Sequence, residues 1–139
     1  MSKGLTIKLT AEQIECLEEA ARYHKTTPAS IAATFVEESL RARKFWRIEF
    51  RDTAIGRLAY IKGTRLSVWL TVHFLGEAYD NNVQAMADAL ERQPSEIQAA
   101  VDYADAYPEE IEPLIEKQKS MTVEKLKEEL PNLIVFDAR

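Results

Sequence analysis

The first 45 residues constrain the fold most strongly, because they predict one strand and two helices with no partner for the strand. Leu5–Thr10 alternates apolar and polar residues, which is the pattern of a strand with one buried face. Helices over about 11–24 and 28–43 follow; the capping-box spacing of Thr10 and Gln13 begins the first, and Thr27 is the N-cap of the second. About 40 residues rarely bury enough apolar surface to fold alone. We therefore expect two chains to pair these strands and pack four helices together.

The opening segment, LTIKLTAEQIECLEEAARYHKTTPASIAATFVEESLRAR, resembles the ribbon-helix-helix family of DNA-binding dimers. In that family a two-stranded ribbon enters the major groove with its polar face against the bases. The resemblance implies base contacts from Thr6, Lys8 and Thr10. It also implies phosphate contacts at the start of the second helix, from Thr27, Ser30 and the backbone amides beside them. An ordinary amphipathic edge strand with solvent-facing Thr and Lys remains the alternative.

Charge is distributed unevenly along the chain. The net charge is −5, but residues 1–75 hold 12 basic and 8 acidic residues, whereas 76–139 hold 6 and 15. The most basic stretch is 41–65, and a local positive field favours nucleic acid even in an acidic protein. A solvated surface of mixed charge is the alternative. The cations that we assign to phosphate are Arg41, Arg43, Lys44, Lys62 and Arg65.

A second domain is predicted over 46–107, with two short strands followed by three helices. The order of a short helix, a brief break and a longer helix is typical of helix-turn-helix domains. The last helix carries three acidic residues and no Lys or Arg, so we expect it to serve the core or a partner rather than DNA. The predicted elements are strands 46–51 and 57–62 and helices 68–79 (N-cap Ser67), 83–91 and 95–107 (N-cap Ser95).

The string Ile61-Lys62-Gly63-Thr64-Arg65 is similar to the signature of a bacterial family that carries a domain of unknown function and occurs as VapB-type antitoxins beside PIN-domain toxins. From the residues themselves, Gly63 is expected to supply a turn conformation closed to other residues. Thr64 or Ser67 is expected to satisfy amides at the helix start. Arg65 either holds the hairpin through backbone carbonyls or contacts phosphate, and both readings stay open.

The C-terminal segment 108–139 begins with two prolines and three acidic residues within 108–113, which predicts a linker with one helical turn. An amphipathic helix over 121–130 and a strand-like apolar run over 133–136 follow. The antitoxin resemblance implies that this tail lies on a PIN-type, metal-dependent ribonuclease; alternatively, 133–136 completes the protein's own sheet. The predicted toxin contacts are Leu126, Leu130, Leu133, Ile134, Val135, Phe136 and Arg139.

The composition argues against the common catalytic and metal-binding motifs. One cysteine, two histidines and four glycines leave no multi-cysteine zinc site, no histidine cluster and no glycine-rich phosphate loop. We expect neither cofactor nor metal. No apolar run reaches the ~18 residues of a membrane span, so a cytoplasmic protein is expected. Cys16 is expected to be partly buried, and Trp46 and Trp69 to anchor the core.

The sequence thus predicts a mainly α protein with short β elements in three parts. These are a ribbon-helix-helix segment (1–45), a β-hairpin with a helix-turn-helix (46–107) and a partner-binding tail (108–139). The expected function is that of a non-catalytic antitoxin and repressor. Its expected partners are operator DNA, a PIN-domain toxin and further copies of itself, as a homodimer or higher even-numbered oligomer. A stand-alone transcriptional regulator and an interaction module that never touches DNA are the alternatives.

Overall fold

The computed structural model describes residues 3–119 and is mainly helical with a two-stranded antiparallel sheet, which confirms the predicted fold class at that level. The chain divides into unit 1, Met1–Lys44, and unit 2, Phe45–Arg139. The predicted helix 121–130 and strand 133–136 lie outside the described residues. Within 3–119, no helix is both long and apolar enough to cross a bilayer.

The structure contains six helices and two strands within residues 3–119. They are α1 (Ala11–Tyr23), α2 (Pro28–Lys44), β1 (Ile48–Thr53), β2 (Gly56–Ile61), α3 (Val68–Tyr79), α4 (Val83–Leu90), α5 (Pro94–Ala106) and α6 (Pro108–Lys119).

Unit 1 contains the two predicted helices. Thr10 begins α1 with a capping box: its hydroxyl accepts from the Gln13 amide at 3.1 Å, and its own amide donates to the Gln13 side chain at 2.9 Å. Thr27 precedes α2, and its hydroxyl accepts from the Ser30 amide at 3.1 Å. Residues 3–10 form no strand, contrary to the prediction, because in a single chain no second strand is there to complete the ladder.

The apolar side chains of unit 1 are poorly covered in the single chain. Among residues 3–44 only Ala21 and Ile31 are buried. Leu5 is 89% exposed and Ile7 60%, as expected for one apolar face of an unpaired strand. Half-exposed apolar side chains on both helices add to this surface: Ile14, Val36 and Leu40. Unit 1 by itself therefore has almost no core.

Unit 2 begins with the hairpin of β1 and β2. Ile48 lies opposite Ile61, and Phe50 opposite Ala59, so one face of the ribbon is apolar and packs on the helices. Both strands are displaced from their predicted bounds by one or two residues, and β1 starts at Ile48 rather than at position 46. Trp46 is consequently 64% exposed instead of anchoring the core.

The core of unit 2 is organised around α5. Ile97, Ala100 and Tyr103 are completely buried, and α5 packs against α3, α4, α6 and the hairpin. The ring of Tyr103 lies edge-on to that of Phe45, with 5.6 Å between ring centroids. Its hydroxyl donates to Oε2 of Glu110 at 2.7 Å. The predicted core role of this acidic helix is confirmed, while Trp69 is only partly buried against the same core.

Two further local predictions in unit 2 and one in unit 1 are wrong, whereas Ser67 is the N-cap of α3 as predicted, although its side chain makes no capping bond. Helix α5 starts at Pro94 with Gln93, not Ser95, as N-cap and partner of Glu96 in the capping box. Residues 108–119 form a full helix against α3 and α5 rather than a linker. In unit 1, Cys16 is exposed rather than partly buried.

Candidate nucleic-acid and partner interfaces

The predicted ribbon residues are accessible in unit 1. Thr6 and Lys8 are exposed; in a strand, alternation would place them on the side opposite Leu5, Ile7 and Leu9. Thr10 differs from them, because its hydroxyl and amide are already used in the capping box of α1. Its main role in the single chain is therefore to start the helix.

The start of α2 has fewer unsatisfied amides than the sequence suggested. The Ser30 amide donates to the Thr27 hydroxyl, and the Ser30 carbonyl accepts from the hydroxyl of Thr34 at 3.2 Å. Proline at position 28 has no amide hydrogen. The donors that can still bind a phosphate at this end of the helix are the side-chain hydroxyls and the remaining first-turn amide.

The three cations at the end of α2 lie far from its start. The helix has 17 residues, so Arg43 and Lys44 lie about 25 Å along the axis from Thr27. Both are exposed and suit the negative end of the helix dipole. Arg41 binds Glu37, with Nε 2.9 Å from Oε1. Unit 1 therefore carries two separate polar regions rather than one continuous phosphate-binding surface.

The turn after β2 contains the Ile61–Arg65 string. Gly63 has φ +75°, as predicted. Thr64 is buried; its hydroxyl donates to the Ile61 carbonyl at 2.8 Å and accepts from the Leu66 amide at 3.0 Å. Arg65 is exposed and, among the described residues, has no hydrogen bond or ion pair. It therefore does not hold the hairpin, and its guanidinium is accessible to an anion, as is the exposed Lys62 ammonium.

One carboxylate controls the charge beside this turn. Glu49 accepts from Nε of Arg51 at 3.1 Å and from the Gly63 amide at 3.1 Å. These hydrogen bonds, first that from Arg51 and then that from Gly63, lower the pKa of Glu49 and outweigh the opposing effect of desolvation. Arg51 also lies over the Tyr60 ring, 4.4 Å from its centroid. Arg51 is thus partly neutralised and held in place.

A basic groove of about 570 Å³ lies in unit 2. Its charged walls are three arginines from three different elements: Arg51 from β1, Arg65 from the turn and Arg92 from the end of α4. Arg92 has only a loose ion pair with Glu96, at 3.9 Å. Such a groove can receive a phosphate or a carboxylate. Leu66 and Leu90 form the apolar part of its wall.

The same two leucines also line an apolar pocket of about 300 Å³ between α3 and α4. The basic groove and the apolar pocket are therefore neighbours. Among the described residues no charged side chain lines the pocket. The hydroxyl of Thr71, one of the lining residues, donates to the Ser67 carbonyl at 2.7 Å. The side chains lining the pocket are Leu66, Leu70, Thr71, Phe74, Ala78, Tyr79, Met86 and Leu90.

Sequence reasoning missed part of this site. Arg51 belonged to the predicted basic stretch but was not assigned to a site, and Arg92 lay outside that stretch. Their sequence separation leaves no local signal that they meet; the αL conformation of Glu91 (φ 55°), which turns the chain after α4, is visible only in the fold. The predicted toxin contacts between 126 and 139 lie outside the described residues.

Comparisons of the chain with protein-family models, with curated proteins and with solved structures found no match in any of the three.

Proposed function

We propose that this protein is a non-catalytic antitoxin that represses its own operon. In this proposal unit 1 dimerises as a ribbon-helix-helix and binds operator DNA, while the C-terminal segment binds and inhibits a PIN-domain ribonuclease. The observation that carries the proposal is the exposure of Leu5, Ile7 and Leu9 in a unit whose described residues include only two buried ones, Ala21 and Ile31. Full burial of one such side chain is worth about 1.5–3 kcal/mol, so pairing with a second copy would be strongly favoured.

DNA contact is assigned to the polar side of the same segment. When Leu5, Ile7 and Leu9 are covered by the helices of a dimer, Thr6 and Lys8 face outward. Thr27 and Ser30 are the predicted phosphate contacts at the start of α2, and Lys62 is assigned to phosphate in unit 2. Arg65 is not among these contacts, because it lies beside an apolar pocket.

Exposed cations of the basic stretch favour DNA binding over an interaction module that avoids DNA. Arg41, Arg51 and Arg57 each pair with a carboxylate at most five residues away. Exposed cations of the stretch that we assign to phosphate here are Arg43, Lys44 and Lys62. A positive surface thus remains for nucleic acid.

A gel shift on DNA from upstream of the protein's own gene tests the repressor proposal. Thr6→Ala and Lys8→Ala should weaken operator binding and reduce discrimination against unrelated DNA. Lys25→Ala, in the exposed turn between α1 and α2, is the matched control. Affinity should fall with salt with a slope of about 0.9 per phosphate contact. If Thr6→Ala and Lys8→Ala leave the affinity for operator DNA unchanged, the ribbon assignment is wrong.

Coexpression with the adjacent reading frame tests the antitoxin proposal. The full-length chain should retain a PIN-domain protein through affinity purification and suppress its ribonuclease activity. Phe136→Asp should abolish both effects, whereas Ile55→Asp, at an exposed apolar residue between β1 and β2, should not. A neighbouring gene that encodes no PIN domain, together with intact operator binding, would favour the stand-alone regulator.

A further inference from the structure

Unit 2 has an apolar surface that its own described residues leave open. It consists of Leu70 and Phe74 of α3 and Leu90 of α4, around the pocket of about 300 Å³; we call it the α3 face. Phe74 is 46% exposed and Leu90 37%. A contiguous exposed patch of this kind around a pocket is typical of a surface that binds another protein.

The two ends of the α3 face carry opposite charge. Arg65 and Arg92 lie at the end where α3 begins and α4 finishes, in the basic groove that adjoins the pocket through Leu66 and Leu90. At the other end Glu77 is exposed and, three residues after Phe74, lies on the same side of the helix. Exposed Asp80 follows at the end of α3.

We propose that the α3 face binds the α3 face of a second copy of this chain, with the two α3 helices antiparallel about a two-fold axis. In this pairing Phe74 of each copy enters the other copy's apolar pocket, and Arg65 meets the Glu77 carboxylate. A two-fold axis makes every such contact twice. Arg65 then serves protein association rather than phosphate binding.

A second copy fits this surface for two reasons. A face that is basic at one end, apolar in the middle and acidic at the other is complementary to itself when it is turned end for end. The α3 helix is about 18 Å long, which separates the two charged ends enough for two distinct ion pairs. A partly exposed aromatic side chain beside an apolar pocket is also the usual form of an interface hot spot.

This pairing is separate from the proposed ribbon dimer, because it uses residues of unit 2 alone. The test therefore uses the full-length chain with Ile7→Asp and Leu9→Asp, which remove the apolar side of the ribbon. Light scattering at micromolar concentration should still give the mass of two chains. Adding Phe74→Asp should give the mass of one chain and weaken association at least tenfold, whereas adding Ile55→Asp should leave the pair intact. Circular dichroism establishes that each variant is folded.

Charge exchange tests the orientation. In the same ribbon-disrupted background, Arg65→Glu and Glu77→Arg should each weaken the pair several-fold, since each places like charges together at both ends. The double variant should recover most of the affinity, which a merely structural effect of either substitution would not produce. A ribbon-disrupted chain that is already a monomer overturns the proposal, as does a double variant weaker than both singles. Loss of toxin binding in Phe74→Asp at unchanged mass would also overturn it and assign the face to another protein.

Discussion

The carboxylate of Glu49 accepts a hydrogen bond from the backbone N–H of Gly63 at 3.1 Å, and so ties β1 to the turn that follows β2. The same carboxylate binds Arg51. Since these contacts favour the ionised form, the pKa of Glu49 in the folded protein lies below its ordinary value of 4.5. The folded state therefore binds fewer protons than the unfolded state around this pH.

Glu49→Gln should lower the thermal stability of the protein at neutral pH. The ionised carboxylate contributes fully above pH 4.5, and its contribution disappears as the pH falls through the lowered folded-state pKa. The difference in melting temperature between Glu49→Gln and the parent should therefore shrink in acid. Thermal unfolding followed by circular dichroism across this range measures it; a difference that stays constant with pH would contradict the role assigned to the charge.

Gly63→Ala should destabilise unit 2 by about 1–2 kcal/mol, because an L-residue is strained at φ +75°. Nothing lies within 4 Å of the added methyl group, so the cost comes from the backbone alone. Gly76→Ala is the matched control: it lies inside α3, where alanine should stabilise by about 0.5–1 kcal/mol. Urea unfolding of both variants should give opposite signs, and equal signs would contradict this account.

Tyr103→Phe should cost about 1–3 kcal/mol, because it removes the hydroxyl that donates to Glu110 at 2.7 Å and leaves the aromatic packing in place. The bond joins α5 to α6, so its loss should also increase amide hydrogen exchange in α6. Tyr107→Phe is a useful comparison on the same aromatic cluster. Unchanged exchange in α6 would show that the bond does not hold this helix.

Thr10→Ala should destabilise α1 by about 1 kcal/mol through loss of its capping box. Thr6→Ala should leave stability unchanged, since Thr6 lies in an exposed segment outside both helices. Comparing unfolding with DNA affinity for the two variants separates the roles. If Thr6→Ala reduces affinity without reducing stability, Thr6 contacts DNA; if Thr10→Ala reduces affinity only in proportion to stability, Thr10 acts through the helix.

Local signals predicted the helices well. Thr10 and Thr27 marked the starts of α1 and α2 to the residue, since capping depends on contacts within three or four positions. The proline-rich start of α6 misled the prediction, because Pro108 is the first helical residue, where its missing amide costs nothing, and Glu109 follows favourably in the first turn.

The sequence did not predict contacts between residues that are far apart along the chain. Trp46 continues the alternation of Ile48 and Phe50, but a turn in which the Ile48 amide donates to the Phe45 carbonyl precedes the strand and leaves the ring exposed. The basic groove joins arginines separated by up to 41 positions, so only the tertiary fold brings them together. The period of the hydrophobic pattern predicts one helix or strand at a time, whereas the basic groove is formed by residues from three different parts of the fold.

The central claim is that unit 1 completes its core with a second copy. Light scattering of the full-length Phe74→Asp variant at micromolar concentration tests it most directly, because this substitution removes the proposed pairing through the α3 face. The account predicts a mass of at least twice 15.9 kDa, with Ile7→Asp and Leu9→Asp weakening operator binding and reducing the protection of the α1 and α2 amides from exchange. A mass of one chain, with α1 and α2 fully protected, would contradict it.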